Sequence, residues 1–232
     1  MRLPSAPSFL LLLAACATVP VSPAQTAAHS ASARIVFTFE HPQLQPSKYA
    51  ISIDENGAGQ YTSQPGPASD PTDGVYPTPL DRPLHLDDAL RTALFSYARS
   101  HSLFATHCTT AKGNLAFTGN KSFSYTGPEG SGSCTFVWAE DPALQHLADD
   151  LGAVAFTLEE GRRLAVEASH DRLGLDAELE SLQNAVKEHR AADLSNIADQ
   201  LHAVADDQQV MNRARKRAAT LLSQSETPPA AN

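Results

Sequence analysis

The segment RIVFTFE, Arg34–Glu40, sets the architecture expected of this chain. Ile35, Phe37 and Phe39 fall on every second position, and the residues between them are smaller or polar. A period of two, built from β-branched and aromatic residues, is typical of a half-buried strand. The same alternation returns in residues 49–54. We therefore expect an antiparallel sheet in this part of the chain.

The tetrapeptide Asp54-Glu55-Asn56-Gly57 predicts a hairpin turn after the second strand. Asn-Gly tolerates the positive φ angles that tight hairpins need, so a return strand is expected around residues 60–63. The segment also resembles a calcium loop superficially. Ala58 and Pro65 stand where such a loop needs oxygen ligands, which favours the hairpin.

Residues 64–83 contain six prolines and no periodicity, which predicts an extended connection at the surface. Residues 85–104 then carry apolar side chains at helical spacing. A second group of three strands is expected around Leu115 and Phe117, Phe123 and Tyr125, and finally Cys134, Phe136 and Trp138. Gly119-Asn120 and the glycine-rich segment 127–133 are its predicted turns. The helix is expected to cover the aromatic face of this group.

After Glu140 the pattern is helical. Asp141-Pro142 predicts a cap followed by a first-turn proline, and Thr157-Leu158-Glu159-Glu160 predicts a capping box that opens another helix. Gly174 predicts a stop before a restart at Asp176. Residues 175–227 contain no glycine or proline.

Two apolar series in this last segment are offset by one residue across 189–193. One long helix with a stutter explains the offset, and so does a break near Ala192-Asp193. We favour the long helix, packed back on residues 158–170 as a hairpin. Its heptad-like spacing also permits homo-oligomers through the C-terminal helix.

These patterns predict an α+β fold: about six antiparallel strands in two groups, covered by one helix and followed by a C-terminal helical hairpin or long helix. The sheet domain is expected over residues 34–140 and the helical region over 141–223. Residues 224–232 are expected to be disordered.

The first sixteen residues, MRLPSAPSFLLLLAAC, have the layout of an export signal. Arg2 supplies positive charge, and the apolar run that follows is too short to span a bilayer. Leu13-Ala14-Ala15-Cys16 resembles a bacterial lipobox, so Cys16 is the expected lipidation site. The alternative is ordinary cleavage after Ala24, which would release a secreted protein. Residues 17–33 are rich in Ala, Ser, Thr and Pro and read as a tether.

Of the three cysteines, Cys108 and Cys134 remain after either processing route. In an oxidising compartment they are expected to pair, closing a loop of about 26 residues that stabilises the fold by about 3.5 kcal/mol. A redox pair would more typically be Cys-x-x-Cys, which is absent. Zinc on His101, His107 and Cys108 lacks a second cluster of ligands. We therefore expect no metal and no other cofactor.

The formal net charge of −9 argues against nucleic-acid binding. After the leader, no apolar segment is long enough to cross a membrane, so membrane contact is expected through the lipid anchor only. Arg213, Arg215, Lys216 and Arg217 form one basic cluster. Expected in the last turns of the final helix, they complement its dipole there, or they contact an anionic partner.

No segment matches a nucleophile elbow, a zinc-protease motif, a phosphate loop or a dinucleotide fingerprint, and the His170-Asp171 pair is too common to indicate a site. We therefore expect an exported, lipid-anchored protein of the periplasm or outer membrane that acts as a non-enzymatic binding or structural module. Its partner would be an envelope component or another protein. One alternative is a secreted inhibitor that presents segment 64–83 or 127–133. The other is an enzyme with a dispersed site.

Overall fold

The computed structural model describes residues 32–67, 78–105, 108, 110 and 116–225. Within these ranges the chain forms one sheet of six antiparallel strands and five α-helices, which confirms the α+β class. The export signal, residues 17–31 of the expected tether and residues 226–232 lie outside the described residues.

The strands are β1 (Arg34–Glu40), β2 (Lys48–Asp54), β3 (Ala58–Gln64), β4 (Leu80–His85), β5 (Asn120–Gly127) and β6 (Gly130–Phe136). They are ordered β4-β3-β2-β1-β5-β6 across the sheet. The predicted hairpin joins β2 to β3, and Gly57 takes a φ of +86° in its turn. In the centre of the sheet, Phe37 of β1 lies opposite Ile51 of β2 and Phe123 of β5.

Strand β4 lies in the segment that was predicted to be an irregular connection, so this prediction is wrong for its last residues. The strand is at an edge of the sheet, with Pro83 opposite Gln60 of β3. Proline cannot donate to a ladder, and an edge strand tolerates it because one side of the strand needs no partner. The prolines led to the prediction of an irregular segment, whereas pairing with β3 makes residues 80–85 a strand.

Within the described residues, the second strand group is a hairpin of β5 and β6, where three strands were expected. Phe117 lies in an irregular, exposed segment, and Leu115 lies outside the described residues. Gly119 precedes β5, and Asn120 is the first residue of β5, so the turn predicted at these two residues is wrong. The turn predicted over 127–133 is also shorter than expected, because Gly130 already opens β6.

One face of the sheet is buried, and two helices cover it where one was expected. They are α1 (Asp88–Ser100) and the first half of α2 (Pro142–His170). Helix α1 is shorter than predicted because β4 extends to His85. The core between these layers contains Ile35, Phe37, Ile51, Ile53, Tyr61, Phe123, Tyr125, Leu94, Leu144, Leu151 and Leu158.

Helix α2 begins as predicted, with the Asp141 side chain accepting a hydrogen bond from the Ala143 amide and Pro142 in the first turn. The helix then continues through Thr157, so the capping box predicted there is wrong. The Thr157 hydroxyl is buried, donates to the Ala153 carbonyl and accepts from the Ala192 amide. It joins α2 to the C-terminal segment instead of opening a helix.

The prediction of one long C-terminal helix is wrong, because the helical structure is interrupted twice. The helices are α3 (Leu175–Lys187), α4 (Ala198–Asp206) and α5 (Asn212–Ser225), with a 3₁₀ turn at Leu194–Ile197. The first break lies at the offset in the apolar pattern, where His189 and Asp193 have φ angles of 56° and 52°. The second break separates α4 from α5 without any glycine or proline.

These helices pack against the second half of α2 around a core of their own. Its fully buried members include Leu164, Leu175, Leu179, Leu182, Ile197, Leu201, Ala214, Ala218 and Leu221. The apolar series expected to permit self-association is therefore buried within the chain. Among the described residues, no helix is both long and apolar enough to cross a membrane.

Candidate functional site

A pocket of about 200 Å³ lies between the sheet, the β1–β2 loop (residues 41–47) and the middle of α2. Its lining residues are Phe39, Leu44, Gln45, Pro46, Tyr49, Tyr61, Gly152, Ala155, Phe156, Glu159, Glu160 and Arg163. Leu44 and Gln45 are exposed, so this part of the loop forms the rim. The strands supply aromatic rings to one wall, and α2 supplies the charged groups of the other.

The aromatic wall is a row of three rings from neighbouring strands. The ring centroids of Phe39 and Tyr49 are 5.0 Å apart, and those of Tyr49 and Tyr61 are 6.0 Å apart. Phe156 adds a fourth ring from α2. Burial, the main cause, raises the pKa of Tyr49 and Tyr61 well above the ordinary value, so both phenols are neutral.

Glu159 ties α2 to the sheet. Its Oε1 accepts hydrogen bonds from the hydroxyls of Tyr61 (2.9 Å) and Ser63 (2.6 Å). Its Oε2 accepts from Arg162 Nε at 2.9 Å. Both oxygens of this buried carboxylate therefore have strong donors, and its role is to hold the pocket wall in place.

Glu160 is the next residue along α2, and its environment is different. Its side chain is 2 % exposed, and Oε2 accepts no hydrogen bond. Oε1 is 3.4 Å from Arg163 Nη2. Burial is the main cause that raises the pKa of Glu160 to about 8, and a hydrogen bond between its carboxyl group and that of Glu178 adds to it, while the charge of Arg163 opposes it. Glu160 therefore keeps its proton at neutral pH.

An acidic cluster continues behind Glu160 between α2 and α3. Arg163 Nη1 is 2.5 Å from Glu178 Oε1, and Glu167 lies close by on the next turn of α2. The pKa of Glu167 is raised to about 7, mainly by burial and then by the charge of Glu178, while the charge of Arg163 opposes the shift. The Arg163 guanidinium thus contacts Glu160 and Glu178, and its charge also acts on Glu167.

A second acidic cluster lies where the C-terminal helices meet α1. Asp193 Oδ2 accepts from the amide of Asp87, the residue that caps α1. Burial raises the pKa of Asp193 to about 7, and the charges of Asp87 and Asp150 act in the same direction. Burial also raises the pKa of Asp150, while the nearby His146 and His189 lower it. This cluster joins the segment between α3 and α4 to the start of α1, and its residues do not line the pocket.

The predicted disulfide is present in the structure. Cys108 and Cys134 are bonded, with Cα atoms 5.4 Å apart. Cys108 follows the 3₁₀ turn Ser102–Phe104 that ends the α1 segment, and Cys134 lies in the edge strand β6. The bond therefore fastens the segment after α1 to the edge of the sheet.

The four basic residues lie at the wrong end of the last helix for the dipole explanation. Helix α5 begins at Asn212, so they occupy its first turns, where cations are unfavourable. Arg213 and Arg217 both bind the buried Asp176 of α3, at 2.5 and 3.1 Å. These hydrogen bonds, first that from Arg213, lower the pKa of Asp176.

Arg217 also contacts Glu180, and Arg215 donates to the Ala205 carbonyl at 3.1 Å. Three of the four predicted patch residues therefore hold α5 against α3 and α4. Lys216 is exposed. A role for the cluster in binding an anionic partner stays a prediction.

The other sequence candidates do not form a site within the described residues. His101 stacks on Tyr97, His107 lies outside the described residues, and Cys108 is in the disulfide. No group of His, Cys, Asp and Glu in the described ranges could hold a metal ion. His170 ends α2, and Asp171 caps it.

The two segments considered for an inhibitor also differ from expectation. In 127–133 the glycine-rich part is strand β6, not a flexible loop. Of 64–83, residues 68–77 lie outside the described residues. Cys16, the expected lipidation site, lies outside them as well, so lipidation stays a prediction.

Sequence reasoning missed Glu159 and Glu160 as pocket residues, because they were read as part of a capping box. A signal was available. The two acids follow residues 153–158, which are apolar except for Thr157, in a part of α2 that is buried nearly all round. A carboxylate in such a run must find partners or keep its proton.

No protein-family model matches the chain, and no curated protein matches it.

Proposed function

We propose that this protein is exported, anchored in a bacterial envelope by lipid on Cys16, and acts there as a non-enzymatic binding module. The export and the anchor rest on the layout of residues 1–16. The binding role rests on one observation, the aromatic pocket between the β1–β2 loop and α2.

A tether that follows Cys16 would have to end before Ala33. Ala33 is fully buried, and its carbonyl accepts from the Glu55 amide at 3.1 Å. The chain from Cys16 to this point has a reach of at most about 60 Å. A tether of that length would let the pocket meet ligands or partners away from the membrane surface.

The pocket suits a ligand, or a side chain of a partner, about the size of one ring. A cavity of about 150 Å³ holds a benzene molecule, and this pocket measures about 200 Å³. Binding sites are typically apolar with a few polar groups that converge on the ligand. The four aromatic rings and the carboxyl of Glu160 supply that combination.

The protonated carboxyl of Glu160 also favours a second candidate, the enzyme with a dispersed site. A carboxyl with a raised pKa is what a general acid requires. Among the described residues that line the pocket, none is a Ser, Cys or His that could act as nucleophile. We therefore favour the binding module.

Labelling of cells with a palmitate analogue tests the anchor. Label is expected on the wild-type chain and should be lost in Cys16→Ala. Both the wild-type chain and the Cys16→Ala variant should still be exported. An unlabelled but exported wild-type chain would overturn the lipid anchor and favour cleavage after Ala24.

Photo-crosslinking in intact cells tests the binding role. A photoreactive phenylalanine analogue is placed at Leu44 on the pocket rim and, as a control, at the exposed Glu188 beyond the end of α3. Specific adducts are expected from position 44, and they should weaken when Phe156→Ala opens the pocket wall. Equal adducts from both positions, or none from position 44, would contradict a binding role for this pocket.

A further inference from the structure

We propose that Gly152 and Tyr49 select the ligand of the pocket, which is an uncharged compound built on one flat ring that carries a hydrogen-bond acceptor. The inference rests on the proposed binding function and names the ligand class for the same pocket. Three features of the described residues support it: the space left by Gly152, the hydroxyl group of Tyr49, and the pairing of the charges in the pocket wall.

Gly152 leaves space in the α2 wall of the pocket. It lies on the helix face that also carries Ala155, Phe156 and Glu159, and all four residues line the pocket. Apart from its own helix turns, the described residues would offer a Cβ atom at Gly152 one neighbour within 4 Å, which is Tyr49 Oη at 3.7 Å. The position therefore faces open space within the pocket.

Helix packing does not require this glycine. A Cβ atom at Gly161, on the same helix, would lie 2.3 Å from Ile197 Cγ2, so that glycine permits a close approach. Gly152 has no such contact, although glycine inside a helix costs about 1 kcal/mol relative to alanine. The missing side chain adds volume to the pocket, and the edge of a ligand can occupy it.

Tyr49 places a hydrogen-bond donor beside this space. Its Oη is the atom that faces Gly152, and it donates to none of the described residues, whereas the Tyr61 hydroxyl donates to Glu159. Burial, and after it the charge of Asp149, raises the pKa of Tyr49 above its ordinary value, so the hydroxyl keeps its proton. A buried tyrosine hydroxyl usually has a partner, so a ligand acceptor is favoured beside it.

The charges in the pocket wall already have partners. Glu159 Oε2 lies 2.8 Å from Arg162 Nη2, and Arg163 Nη1 lies 2.5 Å from Glu178 Oε1. Glu160, with a pKa of about 8, keeps its proton at neutral pH. A charged ligand would therefore lose hydration without meeting an unpaired opposite charge among the described lining residues. An uncharged ligand avoids this loss.

The aromatic rings do not favour a cation either. Lys121 Nζ lies 5.9 Å from the centroid of Phe39, and Arg190 Cζ lies 5.9 Å from the centroid of Phe156. Both rings thus already have a cation at the distance where the attraction operates, and a second positive charge would be repelled by the first. Apolar contact and ring packing remain, and an uncharged flat ring uses both.

Titrations of the full chain at pH 7, followed by NMR chemical shifts, test the ligand class with four ring compounds. Acetophenone is uncharged and carries an acceptor, ethylbenzene lacks the acceptor, and benzoate and benzylammonium carry opposite charges. We expect acetophenone to bind at least about fivefold more tightly than either charged compound. Tighter binding of benzoate or benzylammonium would overturn the ligand class.

Tyr49→Phe tests the hydrogen bond. The variant should bind acetophenone about two- to tenfold more weakly, which is the usual net effect of one hydrogen bond, and ethylbenzene as tightly as before. An equal effect on both compounds, or no effect on either, would overturn the role of the hydroxyl group.

Gly152→Ala tests the space. The added methyl group takes room from the ligand, so both uncharged compounds should bind about tenfold more weakly. Thermal unfolding separates this loss from a loss of structure, because the alanine makes only an ordinary contact with Tyr49. Ser169→Ala, in the exposed last turn of the same helix, is the matched control and should alter neither affinity.

Unchanged affinities in Gly152→Ala would overturn the role of Gly152 and leave the binding pocket standing. Absence of binding by all four compounds to the wild-type chain would overturn the ligand class. Crosslinking at Leu44 then judges the binding function separately.

Discussion

Asn196 and His85 are 111 residues apart and exchange two hydrogen bonds. The His85 amide donates to Asn196 Oδ1 at 2.8 Å, and Asn196 Nδ2 donates to the His85 carbonyl at 3.0 Å. The side-chain amide thus pairs with the edge strand β4 as a neighbouring strand would. It satisfies backbone groups that an exposed edge leaves open to other chains.

Asn196→Asp tests this pairing with almost no change in shape. The variant loses the donor to the His85 carbonyl and brings a negative charge towards it. We expect the free energy of unfolding to fall by about 1–3 kcal/mol in chemical denaturation. Asn184→Asp, on the exposed face of α3, is the matched control and should change it far less. Similar losses in both variants would contradict the structural role of Asn196.

Gly161 and Gly152 lie in the same helix and should respond oppositely to alanine. A Cβ at Gly161 would lie 2.3 Å from Ile197 Cγ2, whereas at Gly152 the nearest atom, Tyr49 Oη, is 3.7 Å away. Gly161→Ala should therefore cost about 1–3 kcal/mol through overpacking. Gly152→Ala should gain up to about 1 kcal/mol from helix propensity. Thermal unfolding of both variants checks the sign, and a stabilised Gly161→Ala would contradict the close approach of α2 to the 3₁₀ turn at Leu194–Ile197.

Stability should fall as pH rises from about 5 to 8, because of Glu160. The folded chain keeps this proton up to a pKa of about 8, whereas the unfolded chain releases it near 4.5. Between these values the unfolded chain binds fewer protons, so the free energy of unfolding decreases with pH. Glu160→Gln carries no proton to lose, so it should become more stable relative to wild type as the pH rises towards 8.

The same comparison at pH 5 is the internal control, since wild-type Glu160 is then protonated in the folded chain and the two proteins should differ little. Glu167, with a pKa of about 7, keeps part of the pH dependence in the variant. A variant whose stability falls with pH as steeply as that of the wild type would show that Glu160 is not the group responsible.

Asp176 should matter for stability and Lys216 should not. Asp176→Asn weakens two ion pairs, those with Arg213 and Arg217, and should lower the melting temperature by several degrees. The loss should shrink as pH falls through the range where aspartate is protonated, because the folded pKa of Asp176 is lowered. Lys216→Ala, in the same helical turns, should leave melting unchanged. An unchanged Asp176→Asn would contradict the ion pairs.

Much of the fold follows from local patterns. The alternation in Arg34–Glu40 and the Asn56-Gly57 turn predict β1, β2 and β3, and Asp141-Pro142 predicts the start of α2. Counting cysteines predicts the bond between Cys108 and Cys134. The strand and helix predictions rest on residues that are close together in the chain. The disulfide prediction rests on the fact that two cysteines can form only one pair.

The sequence-based predictions that were wrong have a common cause. Strand β4 exists because it pairs with β3 and with Asn196, and α2 continues through Thr157 because Ala192 supplies a hydrogen bond to its hydroxyl. Glu160 belongs to a pocket because a loop and three strands meet α2 beside it. None of these partners is a neighbour in sequence.

Periodicity, turn chemistry and cysteine number therefore set the α+β class, most strands and the disulfide, since they act over a few residues. Packing of distant segments chose the edge strand and both breaks in the C-terminal helices. It also placed Arg213 and Arg217 beside Asp176 and buried Glu160 beside Arg163 and Glu178. The physical reason is that burial and pairing depend on which side chains meet in space, and local propensity is too weak to resist them.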